Sequence, residues 1–183
     1  MRRELPPACN TSLTADCVKR LLEQIEKADG AGLAGNIAGF DGPPLPDVGG
    51  YIQMLMRRQR CSPSCAVVAL VYIERLEGKI PRACVNSGNI RLLLLTAMML
   101  AGKWLEDDHF SNAEWAAVAG VSVHELNRLE LFILTTLHWG VFVSQAEFMS
   151  RAPSFWEPAR GDGDGRPTEP TGGAGPEAQA KAQ

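Results

Sequence analysis

Apolar residues recur at helical steps through most of the middle of this chain. Leu126, Leu129, Ile133 and Leu137 mark one face of a helix, and Leu131, Phe132 and Leu134 carry apolar character around most of its circumference. That is the pattern of a helix surrounded by protein. Tyr51, Ile52, Met54, Leu55 and Met56 open another helix, which ends near Arg60 with arginines at its negative end. Ser62 followed by Pro63 reads as an N-cap with proline at the first helical position, starting a helix that runs to Glu77 and stops at Gly78. A further helix begins around Asn86 or Ser87 and continues through an apolar run to about Leu105. Ser111 with Glu114, and Ser122 with Glu125, have the spacing of capping boxes; the first starts a short helix ending at Gly120, and the second starts the Leu126 to Leu137 helix. This makes five helices over about a hundred residues. No stretch shows the alternation of a strand, so the pattern predicts an all-α fold.

An amphipathic helix over residues 14–29 precedes this unit, with Val18, Leu21, Leu22 and Ile25 on its apolar face, Thr14 as N-cap and Gly30 past its end. Residues 1–13 are expected to be disordered. The 30–46 stretch is expected to be a linker, because residues 30–50 hold seven glycines and three prolines. The core unit is placed at 47–151. Residues 152–183 hold eleven Gly and Pro, with Phe155 and Trp156 as their aromatics, and are expected to form a disordered tail.

Two charges break the apolar pattern. Glu130 lies beside Leu126, Ile133 and Leu134, and Lys103 projects from the stripe of Met99 and Leu100. Three readings stand open: the side chains reach solvent, they pair with each other, or they line a docking surface. Glu106, Asp107 and Asp108 oppose the dipole of the helix they end and are expected to support the start of the next one.

Composition narrows the function. The net charge is −3, and residues 51–151 are balanced at ten basic against nine acidic residues, so no global attraction draws nucleic acid. Arg57, Arg58 and Arg60 read as a solvated helix terminus. Five cysteines, at 9, 17, 61, 65 and 84, and a start without a signal-peptide pattern predict reduced thiols inside the cell. Cys61 and Cys65 have no second cysteine pair, and His109, His124 and His138 are scattered, so no metal site is expected. The longest apolar run, 90–101, is too short to span a membrane. The sequence holds neither a phosphate loop nor a nucleophile elbow, and no enzyme activity or cofactor is expected.

Residues 85–137, VNSGNIRLLLLTAMMLAGKWLEDDHFSNAEWAAVAGVSVHELNRLELFILTTL, resemble the cyclin box of the P/U-type cyclins, the group that includes the yeast phosphate-regulatory cyclin and many protozoan cyclins. The resemblance rests on Arg91 and its leucines, Thr96, Lys103, Asp107, Asp108, Asn112, Trp115, the Gly-Val-Ser turn, and Glu125-Leu126-Asn127 before Leu129-Glu130. Upstream, residues 51–76 are similar to the family's first two helices, with Cys61-Ser62, Tyr72, Ile73 and Arg75 in place. Similarity covers about residues 40–150. Ile90 stands where the family usually has histidine, and Gly102 replaces an alanine, permitting closer backbone approach at some cost in helix propensity.

This resemblance implies a five-helix cyclin box with the N-terminal helix added. It also implies a regulatory subunit that forms a heterodimer with a cyclin-dependent Ser/Thr kinase and activates it. By family position, Lys103 and Glu130 grip the kinase's regulatory helix and the loop leading into it, while Trp139 and Val141 pack on that helix. Kinase substrates or inhibitors are further partners it allows, with location in the nucleus, the cytoplasm or both. A cyclin-fold transcription or nucleic-acid adaptor is the alternative.

Overall fold

The computed structural model describes residues 7–31, 37, 39–80 and 84–152, with side chains from Thr14 onward. Seven helices account for most of these: α1 Pro7–Gly30, α2 Val48–Gln59, α3 Pro63–Lys79, α4 Ile90–Leu105, α5 Asn112–Ala119, α6 Val123–Thr136 and α7 Gln145–Arg151. Among the described residues there is no strand. The fold is all-α, with α2 to α6 as the five expected box helices.

The helices α3 and α4 form the centre. Every residue from Cys65 to Ile73 is buried, as is every one from Leu92 to Gly102, so both helices are covered on all sides. The one polar side chain in that stretch of α4, Thr96, donates its hydroxyl back to the Leu92 carbonyl at 2.9 Å, so it is not left unpaired. Around this pair pack α1 and α7 on α3, α5 and α6 on α4, and α2 against both α1 and α4.

Local chemistry sets most boundaries. Ser111 and Glu114 make both reciprocal bonds of a capping box at the start of α5, and Gly120 ends it at φ 67, a left-handed turn that glycine adopts without strain. The side chain of Ser122 caps α6 by accepting the Glu125 N–H. At α2, Asp47 accepts the Gly50 N–H at 2.7 Å, so the helix starts three residues before Tyr51 and takes in Gly49 and Gly50.

Several expectations are corrected. The first helix begins at Pro7 rather than Thr14, which is buried inside it; proline is tolerated in a first helical turn, and the expected disorder of residues 7–13 gives way to helix. Residues 1–6 lie outside the described residues. Gly78 does not stop α3, which continues to Lys79 and is capped at Ile80. The Gly/Pro-rich linker is anchored: Ile37 and Phe40 are fully buried, and Phe40 meets Phe132 of α6 edge to face, ring centroids 5.7 Å apart. Near Gly102 the closest foreign atom to an added Cβ is the Trp115 indole at 3.7 Å, an ordinary contact, so no close approach demands the glycine. The acidic trio also acts elsewhere. Ser62 makes no side-chain cap bond at α3; the Glu106 carboxylate accepts the Ser62 N–H at 2.8 Å instead and so supports the start of α3.

The pattern gave no warning of α7. Ser144 caps it by accepting the Glu147 N–H, but seven residues are too few to hold a helix alone. Ion pairs to α3 hold it: Arg75 with Glu147 at 2.6 Å and Arg151 with Glu74 at 2.8 Å. Arg20 of α1 adds a bond to the Ser150 carbonyl at 2.7 Å. Ala152, assigned to the tail, is fully buried, and residues 153–183 lie outside the described residues.

Candidate functional site

Packing of α4 against α6 brings Lys103 and Glu130 together. Their Nζ and Oε1 are 2.6 Å apart, with side chains 29% and 15% exposed. The other carboxylate oxygen, Oε2, accepts from Asn112 Nδ2 at 2.7 Å, and Asn112 also donates to Asn127 Oδ1 at 2.7 Å. Both oxygens of Glu130 are therefore engaged, one by a cation and one by an amide. Of the three readings, pairing holds in the free chain. It explains how a carboxylate is kept on so apolar a helix, since neither charge is left buried and alone.

The chain leaves α6 in an unusual conformation. His138 and Trp139 both take positive φ, 52 and 60, and the Trp139 N–H donates to the Leu134 carbonyl at 2.8 Å. Leu134 is one helical turn beyond Glu130, so this turn continues the side of α6 that carries the ion pair. Trp139 is 64% exposed and Phe142 68%. Val141 is half-buried and packed against the core. Two non-glycine residues in the left-handed region are strained and persist only where surrounding structure fixes them.

Here α3 does the fixing. Tyr72 donates its hydroxyl to the Val141 carbonyl at 2.8 Å; burial pushes its phenol up to about 12, so it remains a protonated donor near neutrality. Arg75 donates to the Gly140 carbonyl at 2.7 Å, to the Phe142 carbonyl at 2.9 Å, and to both oxygens of Glu147. One guanidinium thus ties residues 140–142 to α3 and α7 together.

A second apolar surface follows Lys103. Trp104 and Leu105 are exposed and line a groove with Val68, Val143 and Phe148. Neither they nor Phe142 were singled out in the sequence, because an unbroken apolar run does not reveal which of its residues lies at a helix end facing water. Tyr72 and Arg75 stood in the resemblance without a role. Among the described residues no three His, Cys, Asp or Glu side chains converge where they could hold a metal, and no helix is long and apolar enough to cross a membrane. The structure brings Lys103 and Glu130 into contact and places Trp139 and Val141 in the turn that continues from them.

Comparison with known proteins bears on what such a surface belongs to. The family model described as Cyclin matches residues 10–141. Cyclin-U3-1 of Arabidopsis thaliana is 34% identical over 149 residues, which is 80% of this chain and 67% of that protein. Cyclin-U1-1 of the same plant is 39% identical, covering 65% of this chain and 58% of its own length. Cyclin-P4-1 of Oryza sativa subsp. japonica is 36% identical, covering 64% and 56%. The match spans from just over half to two thirds of these relatives' lengths. With the all-α box and a match over most of the chain, the protein belongs to the cyclin family, in its P/U-type group.

Proposed function

We propose that this cyclin binds a cyclin-dependent Ser/Thr kinase as a heterodimer and activates it by favouring the kinase conformation in which the regulatory helix is correctly placed, without catalytic activity of its own. The observation that carries the reading is the Lys103 and Glu130 pair, held between α4 and α6 with exposed apolar side chains on the turn that follows. In the free chain the two charges satisfy each other. A partly exposed pair is worth only about 0–1 kcal/mol, so a partner offering its own backbone or side-chain groups can open it at little cost. Lys103 and Glu130 then become contacts to the kinase, and Trp139 and Val141 supply the apolar surface beside them.

Magnitudes support this division of labour. Shifting a two-state kinase from 1:99 to 99:1 takes about 5.5 kcal/mol of differential affinity. Covering the exposed part of Trp139, taking about 250 Å² for a whole indole side chain, removes roughly 160 Å² from water, or about 4 kcal/mol. Phe142 adds a similar amount. Part of this gain is spent on association itself, so the apolar contacts supply affinity while the charge pair sets register and partner choice.

Affinity purification of the full chain from native cells, followed by mass spectrometry, should recover a Ser/Thr kinase. Lys103→Glu and Glu130→Ala should each lose that kinase and its stimulated activity while keeping the helical circular dichroism of the parent. Kinase retained by both variants would overturn the assignment of these residues. The same reading places the protein inside the cell, in the nucleus, the cytoplasm or both, which imaging of a fluorescent fusion checks.

A further inference from the structure

The apolar groove beside Lys103 is not explained by the ion pair or by the turn after α6. Its walls come from three helices: Trp104 and Leu105 in the last turn of α4, Val68 of α3, and Phe148 and Met149 of α7, joined by Val143 from the segment before α7. Trp104 is 52% exposed and Leu105 42%, so about half of each side chain faces water. The groove holds about 360 Å³. That is near the lower end of ligand-pocket sizes, roughly 300–1,000 Å³, and suits one or two aromatic side chains better than a folded partner. Ser64 and Gln145 also border it, a hydroxyl and an amide oxygen able to accept an indole N–H.

The chain delivers such side chains to this place. Gln145, Phe148, Met149 and Ala152 recur at helical steps of three and four and so share one face of α7. The first three line the groove; Ala152 is fully buried at the end of the same face, its N–H still bonded to the Phe148 carbonyl at 3.2 Å. The backbone leaves the helix there, at φ −129 and ψ 60. Pro153, Ser154, Phe155 and Trp156 come next, and no other aromatic follows Phe148. Proline is favoured at the second position of a four-residue turn, so Ala152-Pro153-Ser154-Phe155 has the composition of a chain reversal. Three residues reach about 10 Å when extended, against about 6 Å from Ala152 back to Phe148 along the helix. The span is therefore sufficient.

We propose that residues 153–156 turn back along α7 and seat Trp156 in this groove against Trp104, Leu105 and Phe148, with Phe155 over Met149. Ser64 and Gln145 then stand where the indole N–H needs an acceptor. The occupant is this chain's own tail rather than a second copy, because a tether of three residues holds the aromatics at an effective concentration of about millimolar. Seated so, the tail bounds the docking face on one side: a partner extending from Lys103 onto Trp104 has first to displace it. That consequence rests on the docking reading, whereas the seat itself does not.

The test uses the full chain carrying Trp156→p-benzoylphenylalanine, irradiated, digested and read by mass spectrometry. Cross-links should fall within one chain, on Trp104, Leu105, Phe148 or Met149, and the irradiated product should run as a monomer on a reducing, denaturing gel. Hydroxyl-radical footprinting of the full chain with its natural residues gives the second reading. Combining Phe155→Ala with Trp156→Ala, outside the core, should raise labelling of Trp104 and Met149 several-fold and leave Trp139 unchanged. Cross-links between two chains, cross-links confined to α1, α2 or the 138–142 turn, or unchanged labelling in the double variant would each overturn the proposal. None of these readouts needs a kinase, so the seat and the docking reading fail separately.

Discussion

Replacing Arg75 by alanine should loosen a surface that Arg75 itself does not form. Its guanidinium makes two bonds to Glu147 and one each to the carbonyls of Gly140 and Phe142, with the Arg75 and Glu147 side chains about a quarter exposed. A bidentate pair at that exposure is worth about 1 kcal/mol, and each charge-assisted bond to a carbonyl that regains water on removal about 1 kcal/mol. The total is about 3 kcal/mol. At roughly 2–4 °C per kcal/mol for a chain of this size, the midpoint of thermal unfolding should fall by about 6–12 °C. Arg75→Lys keeps the charge but not the fork, and should lose about half as much. Circular dichroism melts measure the global effect. Hydrogen exchange measures the local one: the amides of Trp139 and Gly140, bonded to Leu134 and Leu137, should exchange faster while those in the middle of α4 stay protected. Kinase recovery should fall as well. A melting shift under about 2 °C, or unchanged exchange at residues 139–142, would refute the idea that Arg75 shapes this turn.

The linker provides a second test. Phe40→Ala empties a fully buried site beside Phe132 and should cost about 3–5 kcal/mol in urea unfolding, whereas a mere tether would tolerate it with under 1 kcal/mol. Ser111→Ala should change a titration. The Glu114 carboxyl lies below the usual range because the Ser111 hydroxyl and then the Ser111 backbone N–H donate to it. Its stabilisation is present above the unfolded pKa and is lost as pH falls through the folded one, so removing the hydroxyl should move the Glu114 titration upward in carbon-detected NMR; no movement would exclude the bond.

What could be read from sequence divides by how far apart the interacting residues lie. The Ser111–Glu114 box and the Ser122 cap were legible because their partners sit three residues away, within one turn of helix. The same local rules failed where a distant group took over. Glu106 caps α3 from forty-four residues away, and α7 depends on Arg75 across seventy-two, so QAEFMSR alone carried too weak a helical pattern. Phe40 was hidden in a stretch whose glycines and prolines describe its backbone but not its side chains. Periodicity marked Lys103 and Glu130 as anomalies, and their pairing was one of three readings that only the α4–α6 packing could separate. The left-handed turn at His138 and Trp139 was not legible, because a bulky tryptophan does not favour positive φ; Tyr72 and Arg75 hold the residues that follow it, 140–142, from α3.

That turn has a consequence for the order in which the molecule becomes competent. As the chain is synthesised, α2 to α6 are made before residues 144–151, and the face of α3 that α7 covers waits for them. The turn cannot take its final shape so early, because Glu147, the carboxylate that completes the Arg75 clamp, has not been made. The turn is thus set late: a chain that stops short of Glu147 lacks the carboxylate that holds Arg75 beside residues 140–142. The clamp makes the geometry of residues 138–142 conditional on α7, a helix that follows them in the chain.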